Sequence, residues 1–145
     1  FKALVFSGMR LSHLLELLQE WDGAKVVKVQ EGKVCRYPAT HVSKGQKKAF
    51  WLYFPCAFRR ELECITHKEI SYHVVQKAIS YKRVSANSIR KWLLNFLIAH
   101  GVSESVADFI EGRAAITVGS AHYLNKTQQA DKAYKSIVDK FPIKP

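Results

Sequence analysis

The sequence is short of acidic residues, short of cysteine and without a long apolar run, and each shortage excludes a class of protein. Asp and Glu number 12 against 23 Lys and Arg, so the 145-residue chain carries a formal net charge of +11. A surface with this excess attracts polyanions and loses that attraction in salt, which makes nucleic acid the expected partner. No apolar run approaches the roughly 20 residues that cross a bilayer, and no signal peptide is recognisable, so we expect no membrane partner.

The three cysteines, Cys35, Cys56 and Cys64, are odd in number and lack a C-x-x-C spacing. This pattern predicts reduced thiols inside a cell, and we expect a cytoplasmic protein without a zinc site. The six histidines are scattered along the chain rather than spaced as metal ligands. No metal and no cofactor are therefore predicted.

Length and composition favour a single domain over residues 1–145. A chain of this size can build a real core, and its 48% hydrophobic content excludes general disorder. The chain begins at Phe1 rather than at an initiating Met, so we expect it to belong to a longer protein.

Apolar residues with helical spacing occur near the start of the chain and throughout its second half. We predict a loop and helix up to residue 21, helix from 57 to 82 and from 86 to 99, a short helix from 103, and a last helix from 125 to 141. Ser85 is a good N-cap for the central helix and Gly101 ends it, while Gly112 ends the short helix. The segment that follows is expected to bring Tyr123 back towards Arg90.

Residues 25–55 are rich in β-branched and aromatic side chains and are broken at residues 31–32 and 44–45. This texture predicts two or three short antiparallel strands, with residues 44–48 at the turn between the last two. The expected fold class is therefore mixed α+β, mainly helical, with a small antiparallel sheet after the first helix. In the next helical region Lys68, Lys77 and Lys82 form a basic side that we expect to follow a nucleic-acid backbone.

Two arginines lie where helices begin. Arg90 is near the start of the helix that follows Ser85, where its guanidinium can reach an anion that the helix N-terminus also favours, and phosphate is the obvious candidate. Arg10 begins the first helix after a glycine. Without further context, such arginines are ordinarily surface charges, and a residue such as Tyr123 is ordinarily a half-buried packing residue.

The order of these residues resembles the catalytic domain of the tyrosine recombinases, the phage integrase family. Asn87-Ser88-Ile89-Arg90, a helix ending in Ala-His-Gly, then Phe-Ile-Glu-Gly-Arg113 and finally Tyr123 are similar to its second half, and Ser-Gly-Met-Arg10-Leu-Ser is similar to its first box. Asn87 stands for a His of the family, and Arg113 for a His or Trp. These two departures point to the divergent integrases of archaeal viruses and plasmids. His13 is a third departure, since it stands where the family has an acid.

The resemblance implies a site-specific DNA recombinase, an integrase that cleaves and rejoins strands through a 3′-phosphotyrosyl intermediate and so integrates or excises a viral or plasmid genome. Its implied partners are a double-stranded DNA attachment site and further copies of itself in a synaptic tetramer, in the host cytoplasm on the chromosome. A separate N-terminal DNA-binding domain is expected outside these residues. A DNA-binding module with a decayed active site and a type IB topoisomerase, which relaxes supercoiled DNA with the same residue types, are the alternatives.

Cleaving a phosphodiester without a metal requires a nucleophile, fixed cations for the non-bridging oxygens and an acid for the leaving 5′-hydroxyl. By the resemblance Tyr123 is the nucleophile, while Arg10 and Arg90 hold the non-bridging oxygens. Arg113 is a third phosphate donor; the alternative for it is a salt bridge to Glu111 or to the neighbouring Asp108.

The general acid is the lysine of a Lys-Gly-x-Lys hairpin that resembles one in the family. We assign this role to Lys44, with Lys47 as the alternative, and a solvated hairpin tip without chemistry is equally consistent with the residues.

The general base is open because of Asn87. An amide donates a hydrogen bond to phosphate but cannot accept the tyrosine proton as imidazole does. Either His13 or His122 supplies the base, or the arginine cluster lowers the pKa of Tyr123 enough to make a base unnecessary.

Overall fold

A three-stranded antiparallel sheet and seven α-helices form the computed structural model, which describes all residues from Phe1 to Pro145. The predicted α+β fold, mainly helical, is confirmed. The helices are Lys2–Ser7 (α1), Leu11–Gln19 (α2), Arg59–Glu63 (α3), Tyr72–Ile79 (α4), Ala86–Ala99 (α5), Glu104–Ile110 (α6) and Ala121–Ile137 (α7). The strands, in the order β1-β2-β3, are Val27–Val29 (β1), Val34–Pro38 (β2) and Trp51–Pro55 (β3). None of the helices has the length and apolar character needed to cross a membrane.

The sheet lies between two hydrophobic cores because successive side chains of a strand point to opposite faces. In β3, Leu52 and Phe54 belong to a first core together with α1 and α2. Tyr53 belongs to a second core, with α5, α6 and α7. β2 divides in the same way, since Tyr37 lies in the first core and Val34 in the second. The sheet therefore joins the N-terminal helices to the C-terminal ones.

Two of the three cysteines form a disulfide, so the prediction of reduced thiols is wrong for them. Cys35 in β2 and Cys56 after β3 are bonded, with their Cα atoms 4.9 Å apart, whereas Cys64 is free and exposed. The physical reason is the register of the ladder. Cys35 lies opposite Phe54, and Cys56 is two residues further along the same face, within bonding reach. This register cannot be read from the spacing of the cysteines along the sequence.

Caps set the helix boundaries that the sequence predicted best. α5 begins after Ser85, whose side chain accepts a hydrogen bond from the Ser88 backbone in a reciprocal capping box, and it ends before Gly101. α6 follows Ser103 and ends before Gly112, which has a φ of +69°.

Three helical segments differ from the prediction. Residues 2–7 are a helix, α1, where a loop was expected, and residues 57–82 hold two separate helices, α3 and α4. The last helix begins at Ala121 rather than at residue 125, because Ser120 caps it by accepting from the Tyr123 backbone. Tyr123 consequently lies in the first turn of α7.

Gly112 should be sensitive to substitution. Its φ of +69° favours glycine, and a Cβ there would overlap the Lys48 carbonyl oxygen. We expect Gly112→Ala to lower the free energy of unfolding by about 3 kcal/mol or more, from backbone strain and the displaced Lys48 backbone. Gly101→Ala is the matched control, because its φ is +85° but the space around it is open, and it should lose only about 1–2 kcal/mol. Urea denaturation of both variants measures the difference in the free energy of unfolding. Equal losses in the two variants would contradict the close approach of the Lys48 backbone to Gly112.

Candidate functional site, an arginine-lined cleft

A cleft of about 500 Å³ opens where the starts of α2 and α5 meet α4 and the turn before β3. Four residues singled out from the sequence line it together: Arg10, Asn87, Arg90 and Arg113. Lys47, in the turn before β3, also lines it. We call this site the arginine cleft. Side chains from four distant parts of the chain therefore converge on one surface.

Helix starts position two of the arginines. Arg10 is the N-cap residue of α2 and follows Gly8, whose left-handed conformation ends α1. Arg90 is held near the start of α5 by the capping box at Ser85. The N-terminal residues of α5, including Asn87, also line the cleft. Their backbone N–H groups and the helix dipole favour an anion at this place.

Arg90 is buried rather than a surface charge, with only 5% of its surface exposed. Burial lowers the pKa of Arg90 to about 10, so the side chain still carries its charge at neutral pH. The Nη1 atoms of Arg90 and Arg10 are buried and make no hydrogen bond within the chain. Because buried donors in proteins nearly always have a partner, two unpaired donors beside the cleft favour an anion within it.

A carboxylate lies beside the arginines. The Glu111 side chain is completely buried, and its Oε2 lies 2.6 Å from Nε of Arg113 and 4.0 Å from Nη2 of Arg90. Burial raises the pKa of Glu111, against the opposing effect of the hydrogen bond from Arg113. Gly8 makes room for it, because a Cβ on Gly8 would lie 2.9 Å from Oε1. The only signal for this residue in the sequence is an acid placed between a buried apolar pair and a glycine that ends a helix.

Arg113 combines the two interpretations that the sequence left open. It forms the salt bridge with Glu111 through Nε, and it also lines the cleft with its side chain one-third exposed, at 34%. With Asp108 it makes only a backbone contact, from its N–H to the carbonyl oxygen at 2.7 Å. The pairing with Glu111 occupies one edge of the guanidinium and leaves the terminal nitrogens for a ligand.

The two hairpin lysines differ in position. Lys44 and Lys47 pair through their backbones at the predicted turn. Nζ of Lys44 lies 2.6 Å from Oε2 of Glu16 in α2, outside the residues that line the arginine cleft. Lys47 lines the cleft and is in no ion pair.

The structure does not bring Tyr123 into the arginine cleft. The side chain is only 8% exposed and packs in the second core. Its ring lies 6.0 Å from that of Phe50, 6.4 Å from Trp51 and 5.8 Å from Phe109. Burial raises the pKa of Tyr123, and the cation that opposes this effect is Arg36 of β2 rather than a cleft arginine. In this arrangement the arginine cluster does not activate the phenol.

A polar network holds α7, and Tyr123 with it, on the sheet. Nη1 of Arg36 lies 3.0 and 2.8 Å from the two carboxylate oxygens of Asp131, and the Tyr53 hydroxyl donates to the same carboxylate at 2.8 Å. Trp51 donates from Nε1 to the hydroxyl of Thr127 at 3.1 Å. These residues were not singled out from the sequence, because only the pairing of β2 and β3 under α7 brings them together.

The two candidate bases also differ in position. His13 is 2% exposed, and burial followed by the charge of Arg10 lowers its pKa. Its Nδ1 has no hydrogen-bond partner. His122 is exposed and directly precedes Tyr123 in the first turn of α7. No three His, Cys, Asp or Glu side chains gather into a possible metal site.

The fold and the arginine cleft together define a basic α+β domain with a site suited to a phosphate-bearing ligand. A model of the archaeal phage integrase family matches residues 1–140 of the chain. The protein belongs to this family, and the resemblance drawn from the sequence is confirmed. Membership supports an integrase function, that of a recombinase-type enzyme with DNA as its partner. No match to the chain is found among curated proteins.

The buried His13 should make stability depend on pH. Its pKa in the folded state lies below the ordinary 6.5, so the unfolded chain takes up the proton more readily. Stability is therefore highest above pH 6.5 and is lost as the pH falls from about 6.5 towards the folded pKa. We expect His13→Gln to flatten the free energy of unfolding between about pH 5 and 6.5, measured by urea denaturation. His122→Gln, at an exposed site, should keep the wild-type slope; a wild-type slope in His13→Gln would rule out this linkage.

Proposed function

We propose that the protein is a site-specific DNA recombinase that cleaves and rejoins strands through a 3′-phosphotyrosyl intermediate. The observation that carries this proposal is the convergence of Arg10, Arg90 and Arg113 on the arginine cleft, where Nη1 of Arg10 and Nη1 of Arg90 have no partner within the chain. A DNA phosphodiester presents two non-bridging oxygens, which the planar guanidinium of arginine binds bidentately, a geometry that lysine cannot copy. Membership of the integrase family supports the coarser function.

The proposed reaction needs a nucleophile, arginines for the non-bridging oxygens and a lysine for the leaving oxygen. It needs no outside source of energy. The Tyr123 oxygen attacks phosphorus, the bond from phosphorus to O5′ breaks, and the 5′-hydroxyl leaves with a proton from a lysine. The 5′-hydroxyl of a second strand then attacks the phosphotyrosine and releases Tyr123, so strands are exchanged without loss of bond energy. Arg10, Arg90 and Arg113 stabilise the charge on the non-bridging oxygens, and each donor set contributes about 3 kcal/mol or more in the transition state.

Tyr123 must move before it can act. We propose that the first turn of α7 leaves Phe50 and Phe109 and presents the phenol to an arginine cleft, its own or that of another copy in a synaptic tetramer. The segment before α7, residues 114–120, has no buried residue, and it contains Gly119, around which the space is open. Such a segment can change course at little cost in packing.

In this account Asn87 donates a hydrogen bond to the phosphate, and a histidine takes the proton of the phenol. His122 is the base we favour, because it is exposed and travels with Tyr123. His13 is buried beside Arg10 and would not move with Tyr123.

Duplex DNA with a phosphate in the cleft would run along α4. None of the residues of α4 is buried, and Tyr72 and Gln76 line the cleft. Three cations are exposed on the same stretch of chain: Lys77 in α4, and Lys82 and Arg83 in the turn that follows it. These contacts would follow the DNA backbone, so binding by this domain should be salt-sensitive and weakly selective.

The proposal is tested with a nicked DNA substrate whose cleaved end diffuses away and traps a covalent adduct. We expect wild-type protein to form an adduct that survives a denaturing gel, and Tyr123→Phe to form none while binding the same DNA with wild-type affinity. A mixture of Tyr123→Phe and Arg90→Ala, each inactive alone, should form an adduct if the tyrosine is donated to another copy's cleft.

Two outcomes would favour the alternatives. DNA binding without an adduct in wild type would contradict the recombinase proposal and favour a DNA-binding module with a decayed site, with Asn87 as the first cause to examine. Adduct formation together with relaxation of supercoiled DNA at any sequence would favour the type IB topoisomerase.

The same substrate separates the two hairpin lysines. Because Lys47 lines the cleft and Lys44 pairs with Glu16, we expect Lys47→Ala to slow cleavage by about 100-fold and Lys44→Ala to have a small effect. Replacing O5′ of the scissile phosphate by sulfur should restore cleavage by Lys47→Ala, since a thiolate leaves without a proton. The opposite pattern would return the role of general acid to Lys44.

A further inference from the structure

Resting on the proposed recombinase function, we propose that Glu111 is a positioning residue. Its buried carboxylate holds Arg113, beside Arg90, in the geometry that cleavage requires, and its negative charge weakens the attraction of the cleft for DNA.

Glu111 contacts Arg113 directly and lies near Arg90, and both arginines also line the cleft. Oε2 accepts from Nε of Arg113 at 2.6 Å and lies 4.0 Å from Nη2 of Arg90. The Nη1 atom of Arg90 has no partner within the chain, and Arg113 lines the cleft. One oxygen thus orients Arg113 through a hydrogen bond and acts on Arg90 through charge alone, while both arginines line the cleft.

The fold prevents the carboxylate from turning to solvent. The side chain has no exposed surface, and it follows the buried residues Phe109 and Ile110 at the end of α6. On the opposite side Oε1 lies against Gly8, at a position that a side chain on residue 8 would occupy. Oε1 has no hydrogen-bond partner, so packing and the bond from Arg113 hold the carboxylate. A buried acid held in this way orients its partner more firmly than a surface ion pair does.

The charge of Glu111 has two opposite effects. It raises the pKa of both Arg10 and Arg90, whereas the repulsion between the arginines lowers these pKa values. Removing its charge would make the cleft more positive and attract DNA more strongly. The same change would weaken the hold on Arg113, because an amide oxygen accepts a weaker hydrogen bond than a carboxylate does, and Arg113 has no other side-chain partner. A positioning role therefore predicts slower cleavage with DNA binding kept or strengthened, whereas damage to the fold would weaken both.

Three variants of the full chain separate these effects. Glu111→Gln removes the charge and keeps the shape, whereas Glu111→Asp keeps the charge but is one methylene too short to reach Arg113. Glu104→Gln removes the same charge from the exposed start of α6 and is the matched control. For each variant the dissociation constant for duplex DNA is measured at fixed salt, and the single-turnover rate is measured on the nicked substrate.

We expect Glu111→Gln to cleave on the order of 10- to 100-fold more slowly while it binds DNA as tightly as wild type or more tightly. Glu111→Asp should also cleave about tenfold more slowly, with unchanged DNA affinity. Glu104→Gln should cleave at the wild-type rate. If Glu111→Gln fails to fold, Glu111→Asp decides the question. Wild-type cleavage by Glu111→Asp, or an equal loss of binding and cleavage, would overturn the proposal.

A second measurement does not depend on activity. In nitrogen-15-labelled protein the Nε–H of Arg113, bonded to a buried carboxylate, should exchange slowly with water, and exchange should be at least about tenfold faster in both Glu111 variants. Equal exchange in wild type and variants would show that Glu111 does not hold Arg113 and would overturn the proposal. If wild-type protein forms no adduct, the recombinase function fails, and the exchange rates still decide whether Glu111 positions the arginine.

Discussion

Three guanidinium groups reach one cleft from three separate elements, and the repulsion between them is the constraint on which the rest of the site depends. Arg10 precedes α2, Arg90 belongs to α5 and Arg113 follows α6. A completely buried carboxylate, Glu111, offsets part of this repulsion, and Gly8 leaves the space in which that carboxylate lies. The remaining charge and the unpartnered Nη1 atoms would be unfavourable in a protein with no anionic ligand. In our account they become favourable when a phosphate enters, so the site is organised for its ligand before the ligand arrives.

The phenol of Tyr123 is kept apart from this organised site. The second core buries it, and the ion pair between Arg36 and Asp131 fixes α7 on the sheet. Burial also raises the pKa of Tyr123, which disfavours the phenolate that would attack phosphorus. In our account, binding of DNA and delivery of the nucleophile are therefore separate steps. The first uses the starts of α2 and α5, and the second uses movement at the start of α7.

Local signals predicted much of this architecture, and long-range packing decided the rest. The capping box at Ser85 and the glycine at 112 fixed the helices α5 and α6, and the β-rich texture of residues 25–55 predicted the sheet. Arg10 and Arg90 were identified because they begin helices, and their convergence followed from a family resemblance. The disulfide between Cys35 and Cys56 depends on strand register, and the position of Tyr123 depends on aromatic contacts with residues far away in the sequence. The sequence indicates Glu111 only as a salt-bridge partner of Arg113, since its burial is a property of the assembled cores.

The most direct test of this account is a crystal structure of Tyr123→Phe bound to a short DNA duplex. The account predicts a backbone phosphate in the arginine cleft, with non-bridging oxygens about 3 Å from the terminal nitrogens of Arg10 and Arg90. Nε of Arg113 should still be bonded to Glu111, and the duplex should lie along α4. DNA bound to another face, with no phosphate in contact with Arg10 and Arg90, would contradict the central claim that the cleft is built to hold the phosphodiester.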